Sequence, residues 1–109
     1  MLLPNEKKIM QEDCSEDKLG PGILTLTNMR IAFDKTEGRI ADFSKKFGDT
    51  VMESKLNQII EVSKEGRFIK KLRITIKTDE GEKTFKFGVF SNGKWEKAVH
   101  DAMSNYKDQ

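Results

Sequence analysis

The sequence of 109 residues is poor in the residues that mark several specialised classes of protein, with one cysteine, one histidine, one tryptophan and two prolines. A single cysteine cannot form an intrachain disulfide, so we interpret Cys14 as a bystander on an early strand or turn. One histidine and one cysteine are too few for the usual transition-metal sites, and we predict no metal and no cofactor. No apolar run suits a signal peptide or a spanning helix. We therefore expect a cytoplasmic protein, with peripheral membrane attachment as the alternative.

Charge is nearly balanced, with 20 basic residues, 18 acidic residues and a formal net charge of +2. This balance makes nucleic acid an unlikely partner, because nucleic-acid-binding domains are usually strongly basic. The distribution is uneven: residues 1–20 hold five acidic and three basic residues, whereas residues 64–77 hold six basic residues and only Glu65. With 36% hydrophobic residues, the composition predicts one globular domain over residues 1–109.

Alternating apolar residues, the pattern of half-buried strands, recur along most of the chain. Short polar segments separate these runs, as expected for an antiparallel meander. We predict about seven strands, at residues 8–13, 22–26, 29–33, 50–53, 59–63, 72–76 and 85–87.

The same alternation predicts the register of two hairpins, because residues directly opposite each other lie on the same face of a sheet. It places Leu26 opposite Met29 across a two-residue loop. It also places Thr78 opposite Lys83 across a four-residue loop, in which Gly81 can take a left-handed conformation.

Near the C-terminus the apolar spacing changes from that of a strand to that of a helix, with one stripe formed by Trp95, Ala98, Val99, Ala102, Met103 and Tyr106. Ser91 or Asn92 can cap this helix, and Lys97 and Asp101 form an i,i+4 charge pair. A helix with one apolar stripe must pack on the open end of the sheet. We predict one core made of Leu24, Leu26, Ile31, Phe33, Leu72, Ile74, Ile76, Phe85, Phe87, Trp95 and Val99.

Three segments carry a family resemblance. Residues 22–33, Gly-Ile-Leu-Thr-Leu-Thr-Asn-Met-Arg-Ile-Ala-Phe, resemble the GRAM-type pattern of a glycine, a strand, Leu-Thr-Asn and a second strand with an arginine and an aromatic. Residues 56–62 resemble that family's next element, and residues 82–103 resemble the closing strand and helix of pleckstrin-homology-like (PH-like) domains. The resemblance implies a mainly β fold, a strongly bent antiparallel sheet or partly open barrel capped by the C-terminal helix. It also implies a non-catalytic module that binds phosphoinositides, peptides or proteins.

Residues 14–21, however, hold one lysine among acids where lipid-binding PH domains place several basic residues. We therefore transfer no headgroup site to this chain. The leading expectation is a protein or peptide partner, bound at an exposed sheet edge or in the groove between the final helix and a neighbouring strand. An anionic membrane is the alternative, and the sequence gives no prediction about homo-oligomers.

Catalysis is not expected. The acidic pairs Glu12-Asp13, Glu16-Asp17 and Asp79-Glu80 lie in polar, turn-like settings that do not raise a carboxyl pKa, so we interpret them as solvated. His100 is expected at the surface of the helix, without a neighbouring nucleophile or metal ligand.

Two segments are candidates for contact with an anionic partner. Alternation puts Arg73, Lys77 and Lys86 on the outer face of the 72–87 hairpin, where they join Lys70 and Lys71 in a basic strip. The simpler interpretation is a solvated sheet face with scattered cations.

The segment 36–49 is longer than a hairpin loop needs, and two interpretations stay open. Ile40, Phe43 and Phe47 fit one face of a short packed helix that ends at Gly48. In an exposed loop, by contrast, Phe43 and Phe47 can enter a bilayer interface while Lys45 and Lys46 meet anionic headgroups.

Overall fold

The computed structural model describes residues 3–36 and 47–106. These residues form seven strands, a single 3-10 turn at Leu56–Gln58 and one helix. The strands are β1 (Lys8–Glu16), β2 (Gly20–Thr27), β3 (Arg30–Thr36), β4 (Phe47–Lys55), β5 (Ile59–Glu65), β6 (Lys71–Thr78) and β7 (Gly81–Phe87), and the helix is α1 (Asn92–Asn105). The prediction of a mainly β, seven-stranded fold closed by a C-terminal helix is confirmed.

The strands pair in the order β4-β3-β2-β1-β7-β6-β5, and every pairing is antiparallel. The sheet is strongly bent at its middle, where the ladder between β1 and β7 consists of the single residue pair Glu16 and Phe87. In a flat sheet the rings of Phe33 on β3 and Phe87 on β7 would lie about 14 Å apart, at about 4.8 Å per strand. Their centroids are 5.2 Å apart, so the two halves fold over a shared interior.

The β2–β3 hairpin differs from the prediction by two residues, since Leu26 lies opposite Ile31 rather than Met29. The turn is wider because the Thr27 hydroxyl oxygen accepts hydrogen bonds from the backbone N–H groups of Met29 (3.0 Å) and Arg30 (3.1 Å). A shift of two residues preserves the inward face, because side chains alternate with a period of two.

The β6–β7 hairpin is also shifted by two residues, since Thr78 lies opposite Gly81 rather than Lys83. The loop is therefore tighter than predicted. The Thr78 hydroxyl donates to the carbonyl of Gly81 (2.7 Å) and accepts from the N–H of Glu80 (3.1 Å). Gly81 has a φ of +104°, the positive value that its lack of a Cβ allows.

Of the segment 36–49, residues 37–46 lie outside the described residues. The backbone of Phe47 and Gly48 belongs to β4, where Phe47 lies opposite Thr36. The prediction that a helix ends at Gly48 is therefore wrong. Pairing with β3 takes this part of the chain into the sheet.

The core matches the prediction closely, except that Phe85 is only half-buried. The largest fully buried side chain is Trp95 of α1, which confirms that the helix stripe faces the sheet. Gly22 allows a close approach within this core, because a Cβ there would lie 2.5 Å from the Asp34 carbonyl oxygen and 2.6 Å from the Phe33 ring. Further buried apolar residues are Ile23, Met52, Leu56, Ile59, Val62, Val89 and Ala102.

Helix α1 begins without the predicted side-chain cap. Ser91 occupies the N-cap position, and its side chain makes no capping bond within the described residues. Asn92 instead donates from Nδ2 to the carbonyl of Lys70 (3.0 Å), which ties the helix start to the segment before β6. The predicted Lys97–Asp101 pair is confirmed at 2.8 Å. Neither α1 nor any other part of residues 3–36 and 47–106 supplies a helix of the length and apolarity needed to cross a bilayer.

Candidate functional site

In the acidic pairs Glu12-Asp13 and Glu16-Asp17, the aspartates are exposed as predicted, but the two glutamates are not solvated. Glu16 is buried, and its carboxylate accepts hydrogen bonds from the N–H groups of Lys18 (2.7 Å), Leu19 (2.8 Å) and Lys86 (2.8 Å). It therefore shapes the β1–β2 turn and joins that turn to β7. Asp17, next to it, forms an ion pair with Lys71.

Glu12 has a similar role at the start of the helix. Its carboxylate accepts from the indole Nε1 of Trp95 (2.9 Å) and from the N–H of Phe90 (2.7 Å). Because these two N–H groups of the protein donate to both carboxylate oxygens, Glu12 is a structural hydrogen-bond acceptor rather than a free acid or base.

A third glutamate, Glu6, forms the most enclosed charged contact in the described residues. Its side chain is fully buried, and its oxygens accept from Arg30 Nε (2.8 Å), the Thr27 hydroxyl (2.6 Å) and the N–H of Leu3 (2.8 Å). Burial by itself raises the pKa of the Glu6 carboxyl, but the hydrogen bonds from Arg30, Thr27 and Leu3 outweigh it and lower the pKa to about 2. Arg30 also pairs with Glu53 of β4 at 2.8 Å.

The Leu-Thr-Asn and arginine residues that carried the GRAM resemblance thus have a structural role. Thr27 and Arg30 hold Glu6, while Asn28 accepts from the N–H of Lys7 (2.8 Å) and donates to the carbonyl of Asn5 (3.2 Å). Together they attach the segment before β1 to the β2–β3 turn, which places that segment beside the C-terminal half of α1.

A groove of about 490 Å³ lies at this junction, between α1 on one side and β1 with the β2–β3 turn on the other. This volume is within the roughly 300–1,000 Å³ of typical ligand sites. Its lining combines apolar or aromatic side chains (Ile9, Met29, Ala98, Ala102 and Tyr106) with polar ones (Asn5, Asn28, Asp101 and Asn105). Ile9 is 45% exposed although it is a large aliphatic side chain. The groove can therefore bury apolar groups and also offer hydrogen bonds to a ligand.

The predicted basic strip is largely neutralised by carboxylates. Arg73 pairs with Glu61 (2.9 Å) and Glu65 (3.1 Å), and Lys86 also pairs with Glu65 (3.1 Å). With Lys71 bound to Asp17, three of the five predicted cations face an acidic partner. Exposed pairs of this kind add little to stability, but they reduce the local positive potential.

Lys70 and Lys77 are exposed and make no ion pair within residues 3–36 and 47–106. They lie at opposite ends of β6, separated by the ion-paired residues. Phe43, Lys45 and Lys46 lie outside the described residues, so the predicted loop site at 43–47 stays a prediction.

One exposed apolar site was missed by the sequence reasoning. Phe68 and Ile69, between β5 and β6, are 93% and 77% exposed, and Phe90, just before α1, is 96% exposed. The sequence signal lies in residues 67–71, Arg-Phe-Ile-Lys-Lys. The two apolar residues interrupt a basic run there and do not continue the alternation of the strands.

The single cysteine and the single histidine differ in their exposure. Cys14 lies half-buried on β1, and burial, with the charges of Glu12 and Asp13, raises the pKa of its thiol to about 12. His100 is exposed on α1, as predicted. Within the described residues, no group of three or more histidine, cysteine, aspartate or glutamate side chains is placed to hold a metal ion.

Comparison with known proteins identifies the fold. No protein-family model matches the chain, and no curated protein matches it. Among solved structures, the chain is similar to the Vps36 N-terminal PH domain, with a TM-score of 0.65 and 16% sequence identity over 96% of this chain and 84% of that chain. The fold is therefore PH-like. The GRAM resemblance stays a prediction.

Proposed function

We propose that this protein is a non-catalytic binding module that recognises a segment of a partner protein in the groove between α1 and β1. The observation that carries the proposal is the groove itself: about 490 Å³ beside the final helix, lined by both apolar and amide side chains. The groove between the final helix and a neighbouring strand was one of the two binding places expected from the sequence, the other being an exposed sheet edge.

The lining suits a peptide because a peptide offers both apolar side chains and a polar backbone. The wall formed by Ile9, Met29 and Tyr106 can cover one or two apolar side chains. The amide groups of Asn5 and Asn105 can donate to or accept from the ligand's backbone groups, which must be paired once water is displaced.

The β5 edge of the sheet is less suitable than the groove. The edge strands are β4 and β5. On β5, the last residues include Glu61, Lys64 and Glu65, and charged side chains on an edge strand disfavour the addition of another strand. Helix α1 also packs against β5, and Lys64 lies 4.0 Å from Glu96 of the helix.

The alternative expected from the sequence, binding to anionic membranes through residues 43–47 and the basic strip, has weaker support. The ion pairs of Arg73, Lys86 and Lys71 lower the positive charge available to a headgroup. Lys70 and Lys77 keep their charges exposed and are the members of the strip best placed for such a role.

The groove can be tested with a blocking variant and a library of peptides displayed on phage. Ala98 is half-buried and lines the groove, so Ala98→Trp would fill it. His100→Trp on the exposed surface of the same helix is the matched control. We expect peptides selected on the wild-type protein to bind Ala98→Trp at least about tenfold more weakly, a loss of about 1.4 kcal/mol, and His100→Trp with unchanged affinity. Selected peptides that bind both variants equally, or a library that yields no binder, would contradict the proposal.

A further inference from the structure

The loop that joins β5 to β6 combines exposed apolar side chains with unpaired cations. Phe68 is 93% exposed and Ile69 is 77% exposed. Phe90, two residues before the Asn92 that donates to the Lys70 carbonyl, is 96% exposed. Single exposed apolar residues are common at protein surfaces, whereas two adjacent ones, with a third on a segment that a hydrogen bond ties to the same loop, are typical of an interaction site. These three residues are called the patch below.

This patch is held on an ordered scaffold. Gly66 has a φ of +130°, and a Cβ there would lie 2.2 Å from the Ile69 carbonyl oxygen, so the loop closes tightly on itself. The Asn92–Lys70 hydrogen bond fixes the end of the loop to α1, and the N–H of Phe90 is bound to the Glu12 carboxylate. Anchored backbones on both segments reduce the entropy lost when the exposed side chains dock.

The charge of the loop is positive and available. Residues 64–71 contain four basic residues and one acidic residue, Glu65, which is already paired with Arg73 and Lys86. Arg67 and Lys70, which flank the two apolar residues, are exposed and form no ion pair with any residue that the structure describes. The apolar side chains and the flanking cations of the patch therefore suit a partner surface that has negative charge on the outside and an apolar layer below it.

We propose that this loop is a membrane-docking site, in which Phe68, Ile69 and Phe90 enter the interface of a bilayer that contains anionic lipids. Arg67 and Lys70 then meet the phosphate groups of the lipids. A bilayer fits better than a protein partner because these side chains are almost fully exposed rather than set in a concave surface, and a fluid interface needs no matching pocket. None of these residues lines the groove beside α1, so the two proposals concern separate surfaces.

Co-sedimentation with vesicles of phosphatidylcholine alone, or with about 30% phosphatidylserine, tests the docking site at low and high salt. We expect the wild-type protein to bind only the anionic vesicles. Replacing both Phe68 and Ile69 by Ser should weaken binding at least about tenfold at every salt concentration, since the apolar contribution is not screened. Replacing both Arg67 and Lys70 by Gln should weaken it roughly thirtyfold at low salt and much less at high salt, at about 1 kcal/mol per basic residue.

Matched controls separate docking from general effects of hydrophobicity and charge. Ile60→Ser removes another exposed aliphatic side chain from the neighbouring strand β5, and Lys77→Gln removes an exposed cation at the far end of β6. Both should bind vesicles like the wild-type protein. The thermal midpoint of the Phe68→Ser, Ile69→Ser variant should also be unchanged, because side chains that are 93% and 77% exposed contribute little to the core.

The separate variant Phe68→Trp reports insertion directly, because the native Trp95 is fully buried and gives a constant background. Its emission should shift to shorter wavelength with anionic vesicles. Any of the following would overturn the proposal: no binding to anionic vesicles, equal binding to neutral ones, or equal losses in the loop and control variants. Ala98→Trp should bind vesicles normally, so failure of the groove and failure of the docking loop can be told apart.

Discussion

The buried Glu6–Arg30 pair makes a prediction that can be worked out from the structure. Glu6→Gln keeps the size of the side chain but removes its charge. It presents an amide where the carboxylate accepts hydrogen bonds from Arg30 Nε, the Thr27 hydroxyl and the N–H of Leu3. Hydrogen bonds to a buried charged group are worth about 1.5–3 kcal/mol, and donors left unpaired add to the loss.

The pKa of Glu6 gives a second estimate of the same energy. A fall from 4.5 to about 2 corresponds to about 3 kcal/mol, at about 1.36 kcal/mol per pKa unit. Because the pKa is lowered by folding, this stability is fully present above pH 4.5 and is lost as the pH falls towards 2. At pH 3 about 2 kcal/mol of it should already be gone.

Urea unfolding of the wild-type protein and Glu6→Gln at pH 7 and pH 3 measures this contribution. The variant should be less stable by about 3 kcal/mol at pH 7 and by only about 1 kcal/mol at pH 3. Glu53→Gln is the matched control, since Glu53 binds the same arginine with a side chain that is 48% exposed, and it should cost less than about 1 kcal/mol. A difference between the wild-type protein and Glu6→Gln that does not change with pH would refute the reasoning.

Two further predictions concern the core. Trp95→Ala should lower the free energy of unfolding in urea by about 3–5 kcal/mol. It deletes the largest fully buried side chain and removes the indole donor from the Glu12 carboxylate. An unchanged midpoint would mean that the helix is not docked. The thiol pKa of Cys14 is raised to about 12, so little of the reactive thiolate is present at pH 8. Cys14 should therefore react with iodoacetamide at least about a hundredfold more slowly in the folded than in the urea-unfolded protein. Similar rates would contradict its burial.

The inward faces of the strands could be predicted from the sequence, even where the register could not. Both predicted hairpins were displaced by two residues, an even shift that leaves each side chain on its face. The displacement of the β2–β3 hairpin depends on Thr27, which binds the Met29 and Arg30 amides and also Glu6, 21 residues away. A local pattern carries no information about such a partner.

The candidate surfaces were less predictable, because they depend on long-range contacts. Glu12 has the polar neighbours typical of a solvated acid, but its partner Trp95 lies 83 residues along the chain. Similarly, the cations of the 72–87 hairpin were correctly placed outside, yet their neutralisation by Glu61 and Glu65 required knowing that β5 pairs with β6.

Amide chemical-shift mapping with a peptide selected on the wild-type protein tests the central claim, that the groove beside α1 is the ligand site. Shifts should cluster at Ile9, Met29, Ala98 and Tyr106, which line the groove from β1, the β2–β3 turn and the helix. They should be absent from Ala98→Trp at the same peptide concentration. Shifts confined to the outer face of the β6–β7 hairpin would contradict the assignment of the groove.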